Sequence, residues 1–197
     1  MRRDQKTDQE YTGIILAGGQ SSRMGTEKGL IQWKGKSLIE HAIGILTPVC
    51  KNILISANND HFDSLGYPVI QDLIPDSGPM GGIFSTLTKS ETKYNFIIPT
   101  DTPFVTPELY RYLISHAGSF DVIVPVDHVF FFQPLCAVYS ISVLPAMEAQ
   151  INKQILGFTP LFKKVEIKAV QLHSALGFYK SNTFYNINSR ADLEAIS

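Results

Sequence analysis

Cysteine is scarce in this sequence: Cys50 and Cys136 are the only two, far apart and in no metal-ligand spacing. Two thiols cannot build a disulfide scaffold, and no CxxC pair is present to hold zinc. A reduced, cytoplasmic protein is the expectation, with a single structural bridge as the alternative. Long apolar runs are also missing. No stretch approaches the ~20 residues needed to cross a bilayer, and Gly18-Gly19 interrupts the first apolar run before it reaches signal-peptide length. Membrane and secreted readings drop out. Neither sign of charge dominates, with 17 Lys+Arg against 18 Asp+Glu. Nucleic-acid binders usually show a basic excess, so no nucleic-acid partner is expected. A local basic pocket for a small anion is still allowed. The five histidines, at 41, 61, 116, 128 and 173, share no zinc spacing. There is no GxSxG nucleophile elbow and no GxGxxG fingerprint.

What is present is ordinary globular material. Hydrophobic residues make up 44% of the 197 and charged residues 18%, which argues against disorder and for one domain. The mixed-charge stretch 1–10 reads as a disordered polar tail, leaving 11–197 as a single domain. Short continuous apolar runs at 14–16, 53–55, 69–70, 96–98 and 122–124 read as strands buried on both faces. Helical spacing appears over 37–46, 82–87 and 107–116, the last with proline at its start. Strand and helix therefore alternate, the pattern of a mostly parallel sheet covered on both sides. The last third differs. It predicts a long strand or hairpin over 130–139, a helix over 142–151, an edge strand over 165–172 and a short closing helix over 190–196. The fold class is thus α/β, a three-layer sandwich whose mostly parallel sheet has an antiparallel portion near the C-terminus.

The richest chemistry lies in Leu16-Ala-Gly-Gly-Gln-Ser-Ser-Arg-Met-Gly-Thr-Glu-Lys28. A buried strand runs straight into a loop with Gly18, Gly19 and Gly25, the hydroxyls of Ser21 and Ser22, and the cations Arg23 and Lys28. Glycines let backbone N–H groups approach an anion, and the cations suit a polyphosphate. A plain glycine turn with solvent-facing cations is the competing reading. Gly35-Lys36-Ser37 resembles the end of a P-loop, but Leu30 stands where that motif needs glycine. Ser37 and Glu40 instead make a capping box.

Asp101, in Ile98-Pro-Thr-Asp-Thr-Pro103, follows a buried strand and should project from the carboxyl edge of the sheet, beside the glycine loop. A carboxylate there is a natural Mg²⁺ ligand; a turn aspartate capping the next helix is the alternative. Asp72 follows Val69-Ile70 in the same way, either to accept from a base or ribose or to cap a turn. Ser77-Gly-Pro-Met-Gly-Gly82 opens a helix toward a ligand or simply lets it pack closely. Asn186 and Asn188 share a face at the end of a short expected strand, suited to a heterocycle or a phosphate, or are turn residues.

Taken together, these motifs resemble the molybdenum cofactor guanylyltransferase family. The resemblance begins at Leu16-Ala-Gly-Gly-x-Ser-x-Arg-Met-Gly-x-x-Lys28 and continues through Gly35-Lys-Ser-Leu38, Ala57-Asn58, Val69-Ile-Gln-Asp72 and Gly78-Pro-Met-Gly-Gly-Ile83. It ends with Asp101-Thr-Pro-Phe104, Gln133-Pro-Leu135 and Phe184-Tyr-Asn-Ile-Asn188, so it covers nearly the whole chain after the polar tail.

The resemblance implies a Rossmann-like nucleotidyltransferase fold. It also implies transfer of GMP from Mg·GTP to the phosphate of molybdopterin or its molybdenum-loaded form, releasing pyrophosphate. Leu16, Ala17, Gly18, Gly19 and Ser22 would then hold the nucleotide. Arg23 and Lys28 would hold the triphosphate, Asp72 would recognise the nucleoside and Asp101 would bind Mg²⁺. Asn186 and Asn188 would face the acceptor. Other cofactor-biosynthesis proteins and molybdoenzymes are implied as further partners. Two competing functions are a cytidylyl- or sugar-phosphate nucleotidyltransferase and a non-catalytic nucleotide- or cofactor-binding adaptor.

Two positions depart from the family pattern. Ser56 stands where relatives can carry a nucleotide-contacting Asn, so no role is transferred to it. His128-Val-Phe-Phe-Phe132 replaces a polar, glycine-containing turn in the region where the resemblance implies pterin contacts; Phe130 to Phe132 are read as core, with a partner-facing patch as the alternative.

Overall fold

The computed structural model describes residues 10–18, 27–187 and 192. The elements run in the order β1 (Thr12–Leu16), β2 (Gln32–Trp33), β3 (Lys36–Ser37), α1 (Leu38–Leu46), β4 (Asn52–Ser56), β5 (Val69–Ile70) and α2 (Gly78–Leu87). They continue with β6 (Tyr94–Pro99), α3 (Pro107–Ile114), β7 (Val122–Val126), β8 (Val138–Ser140), α4 (Leu144–Ile151), α5 (Phe158–Phe162) and β9 (Ile167–Gln171). Seven strands form one sheet in the order β5-β4-β1-β6-β8-β7-β9. All its pairs are parallel except those made by β8, which runs antiparallel to both β6 and β7. The antiparallel portion is therefore a strand slotted into the sheet, and β9 is the expected edge strand.

The continuous apolar runs follow from burial on both faces. Along β1, Ile15 points into the layer of α1 and α3, while Ile14 and Leu16 point into the layer of α2, α4 and α5. β6 repeats the pattern, with Phe96 and Ile98 on one side and Ile97 on the other. A strand with a layer on each side has no solvent face to make polar, so period-two alternation disappears. Tyr110 of α3 is fully buried, stacks on Phe96 with centroids 5.1 Å apart, and donates its hydroxyl to the Ile97 carbonyl at 2.6 Å.

The start of α1 bears out the capping box. The Glu40 carboxylate accepts both the Ser37 N–H at 2.7 Å and the Ser37 hydroxyl at 2.6 Å. These bonds hold the Glu40 carboxyl below its ordinary value. α2 begins at Gly78, four residues before its expected start, because Pro79 occupies the first turn, where its missing N–H costs nothing.

Three sequence expectations fail here. The long strand over 130–139 does not form. Phe132 makes only an isolated bridge to Val126, Pro134–Cys136 is a single 3-10 turn, and the strand proper is three residues long. Two prolines explain part of this: Pro125 lies opposite Gln133 and accepts its N–H at 2.9 Å, and neither Pro125 nor Pro134 has an N–H to donate to a ladder. Phe130 to Phe132 are exposed rather than in the core. No strand precedes Asn186: residues 181–184 form turns and 185–187 run on without regular structure. The expected helix over 190–196 lies outside the described residues except for residue 192. No helix of the described residues is long and apolar enough to cross a membrane.

Candidate active site

β1, β4, β5 and β6 run in one direction, so their carboxyl ends meet at one edge of the sheet. A cavity of about 1200 Å³ opens there. Its walls come from the ends of these strands, from the amino end of α2, from Gln133–Cys136 and from Asn186. This is the place where open α/β sheets bind ligands.

The end of β1 is pinned on both sides. The N–H groups of Ala17 and Gly18 both donate to the Ser56 carbonyl, at 2.9 and 3.1 Å, and the Leu16 carbonyl accepts from Thr100 at 3.2 Å. The glycine loop therefore leaves the sheet from a fixed point between β4 and β6. Gly19, Ser22 and Arg23 lie outside the described residues. The far end of the loop is described, and there Lys28 turns back into the cavity. Its Nζ meets Asp101 Oδ2 at 2.7 Å, across 73 residues of sequence. The pair is partly shielded, at 23% and 19% exposure, so its attraction is screened less than a surface ion pair.

Asp101 is held from behind as well. Its carbonyl accepts the Ile187 N–H at 2.9 Å, and Ile187 is fully buried beside Trp33 and Leu38. That contact carries Asn186 to the cavity wall. Asn188 lies outside the described residues. Asp101 Oδ1 is buried and has no hydrogen-bond partner among the described residues. A buried carboxylate oxygen without a partner costs desolvation energy, and a hard cation is the group that would offset it. No cluster of three or more His, Cys, Asp or Glu side chains suited to a metal occurs among the described residues. The fit to Mg²⁺ rests on Asp101 alone, since that ion commonly takes one or two carboxylates and fills its shell with water and phosphate oxygens.

On the opposite wall, Asp72 and Asn58 clasp each other. Asn58 Oδ1 accepts the Asp72 N–H at 2.8 Å, and Asn58 Nδ2 donates to Asp72 Oδ2 at 2.9 Å. The clasp joins the ends of β4 and β5 and aims the Asp72 carboxylate along the cavity. Gly82 brings α2 against this wall: a Cβ there would sit 2.5 Å from Ser56 Oγ and 3.6 Å from Asp72 Oδ1. The Ser77-to-Gly82 segment fills the packing role that the sequence left open. It packs closely, and it turns the amino end of a ten-residue helix toward the cavity.

Sequence reasoning assigned no role to Asn58, Asn59 or Glu27. Asn59 lines the cavity and donates to Glu27 Oε2 at 3.1 Å, fastening the residue before Lys28 to the exit of β4. The available signal was two amides directly after a buried strand, the same position that made Asp101 conspicuous. Cys136 also lines the cavity, but burial pushes its thiol up to about 12. It is no nucleophile at neutral pH, in keeping with chemistry that needs no covalent intermediate.

Residues 13–164 match the family described as the MobA-like NTP transferase domain. A probable molybdenum cofactor guanylyltransferase from Flavobacterium johnsoniae is 35% identical over 94% of this chain and 96% of its own. One from Pelotomaculum thermopropionicum is 33% identical over 93% of this chain and 90% of its own. Among solved structures, molybdopterin-guanine dinucleotide biosynthesis protein A from Archaeoglobus fulgidus superposes with a TM-score of 0.77, over 93% of this chain and 95% of its own, at 23% identity. That likeness shows the Rossmann-like nucleotidyltransferase fold. With the family match spanning most of the chain and the relatives spanning nearly all of it, this protein belongs to the MobA-like molybdenum cofactor guanylyltransferase family.

Proposed function

We propose that this chain transfers GMP from Mg·GTP to the phosphate of molybdopterin or its molybdenum-loaded form. An acceptor phosphate oxygen attacks the α-phosphorus in line, the bond to the β-phosphate's bridging oxygen breaks, and pyrophosphate leaves. The acceptor is already an anion, so no general base is required. Catalysis is then positioning and charge stabilisation. The observation that carries this reading is the Lys28–Asp101 pair at 2.7 Å, with the second Asp101 oxygen buried and unpartnered.

In this scheme Leu16, Ala17, Gly18, Gly19 and Ser22 cradle the nucleotide. Arg23 and Lys28 draw off charge from the triphosphate, and the amino end of α2 adds its dipole. Asp72, oriented by Asn58, accepts from the guanine or ribose. Asp101 would hold Mg²⁺ and keeps Lys28 aimed at the phosphates. Asn186 and Asn188 donate to the acceptor phosphate. Mg²⁺, when bound, supplies charge neutralisation on the phosphate oxygens. Both cysteines are unpaired, which supports a cytoplasmic site of action.

Asp101→Ala tests this, with GTP binding and turnover measured separately. Turnover is expected to fall roughly 10²–10³-fold and to lose its saturable Mg²⁺ dependence. Unchanged Mg²⁺-dependent turnover removes Asp101 from the site.

A further inference from the structure

Lys28 is a long, flexible side chain whose ammonium must keep one place in an open cavity, and ordering it costs rotamer freedom. The chain around it is seated from both sides. Lys28–Leu30 is a single 3-10 turn, closed by the Leu30 N–H donating to the Glu27 carbonyl at 2.9 Å. Before the turn, Glu27 Oε2 accepts the Asn59 side-chain amide at 3.1 Å. The direction of that amide is fixed, because Asn59 Oδ1 accepts the His61 backbone N–H at 3.2 Å. His61 Nδ1 lies 3.7 Å from the same Glu27 oxygen, beyond hydrogen-bond range. Within the turn, Gly29 is buried against the fully buried Phe62 ring. A Cβ there would stand 3.0 Å from Phe62 Cζ and 3.5 Å from Thr100 Cγ2. The segment 59–62 after β4 thus holds both neighbours of Lys28.

The glycine contact is ordinary packing, but Glu27 is not. Its side chain is 11% exposed, and its Oε1 is buried with no hydrogen-bond partner among the described residues. A buried carboxylate oxygen without a partner weakens the fold. An apolar side chain of similar size would suit the same space better. Glu27 itself does not line the cavity, so it has no direct hold on a ligand. A charge that works against stability, one residue from the cation of the site, points to a role in function. A charged acceptor also grips a donor more firmly than a neutral one. We propose that Glu27 is a positioning residue for Lys28. By holding Asn59 at the exit of β4, it fixes where the turn begins and so directs the ammonium toward Asp101 and the triphosphate. The proposal rests on the triphosphate role given to Lys28 above.

The test uses the full chain, with Glu27→Met and Glu27→Gln made alone and in a Lys28→Met background. Three readouts are taken: the denaturant midpoint, the affinities for GTP and for guanosine, and kcat and KM for GTP with molybdopterin as acceptor. Glu27→Met is expected to hold or raise the midpoint while kcat/KM for GTP falls roughly 10–10²-fold, the scale of a misplaced group. GTP affinity should fall with it, and guanosine affinity should not change, because guanosine carries no phosphate for Lys28 to meet. Glu27→Gln should recover most of the loss, since its carbonyl oxygen still accepts the Asn59 amide. In the Lys28→Met background Glu27→Met should change kcat/KM by less than about twofold, because residues that act through one another are not additive. A midpoint that falls in step with activity would make Glu27 a brace of the fold and overturn the proposal. Unchanged turnover and GTP affinity in Glu27→Met overturn it as well. If Lys28→Met costs its full factor and Glu27→Met adds an equal loss on top, the proposal fails and the triphosphate reading stands. If Lys28→Met changes neither GTP affinity nor turnover, both fall together.

Discussion

At the level of single residues, the proposed function rests on a lysine and an aspartate that the chain separates by 73 positions and the sheet brings to 2.7 Å. Both were legible because each ends a segment that leaves a buried strand, and parallel strands deliver such segments to one edge. Lys28→Met keeps most of the side chain's length and removes the charge. It is expected to lower kcat/KM for GTP roughly 10²–10³-fold, by analogy with the loss of one charge-stabilising donor, with far-ultraviolet circular dichroism unchanged. A drop below threefold would show that the ammonium does not face the triphosphate. The Asn58–Asp72 clasp was not legible. A reciprocal amide–carboxylate pair depends on two strand ends becoming neighbours, and nothing in either local sequence states that register. The exposed Phe130 to Phe132 were misjudged for a related reason. Three consecutive phenylalanines read as core by composition, whereas the adjacent Asp127 lifts them out by holding two of their backbone N–H groups and that of Val129 in a turn.

At the level of elements, α2 and α1 carry the sharpest expectations. α2 touches the end of β4 closely enough that a methyl at Gly82 would sit 2.5 Å from Ser56 Oγ. Gly82→Ala gains up to about 1 kcal/mol of helix propensity but overpacks by about 1–3 kcal/mol. The expected net result is a lower denaturant midpoint and weaker GTP binding, both largely recovered by adding Ser56→Ala. Purely additive effects of the two changes would contradict the close approach. At the start of α1, the Ser37 bonds depress the Glu40 carboxyl. A lowered folded value means that the stabilisation is full above the ordinary glutamate range and disappears as pH falls through the folded value. Glu40→Gln is therefore expected to lower Tm near neutrality, with the gap to wild type narrowing steadily below about pH 4. A gap independent of pH would remove the capping box from the account. Helix positions were mostly readable from apolar spacing and from prolines in first turns. The short α5 was missed because five residues hold too little of a 3.6-residue period to register.

At the level of the whole molecule, strand order decides where chemistry is possible. β1 lies between β4 and β6, so one cavity takes its walls from Gly18 and Lys28, the Asp72 clasp and the Asp101 turn together. The alternation of strand and helix foretold a parallel sheet with both faces covered. The insertion of antiparallel β8 between β6 and β7 was beyond local reading, because pairing partners are chosen by the fold and not by a strand's own residues. Residues 11–197 are expected to unfold in a single transition, coincident by fluorescence and circular dichroism. Mg·GTP at a hundred times its Kd should add about 2.7 kcal/mol of stability, while two separate transitions would mean independent units. The most direct measurement is a reaction of the full chain with molybdopterin, GTP and Mg²⁺, with products resolved by mass. The account predicts a product heavier by one guanylyl unit, one pyrophosphate released per product, and neither from the Asp101→Ala chain. Acceptor that returns at its original mass while the chain holds GTP would contradict it.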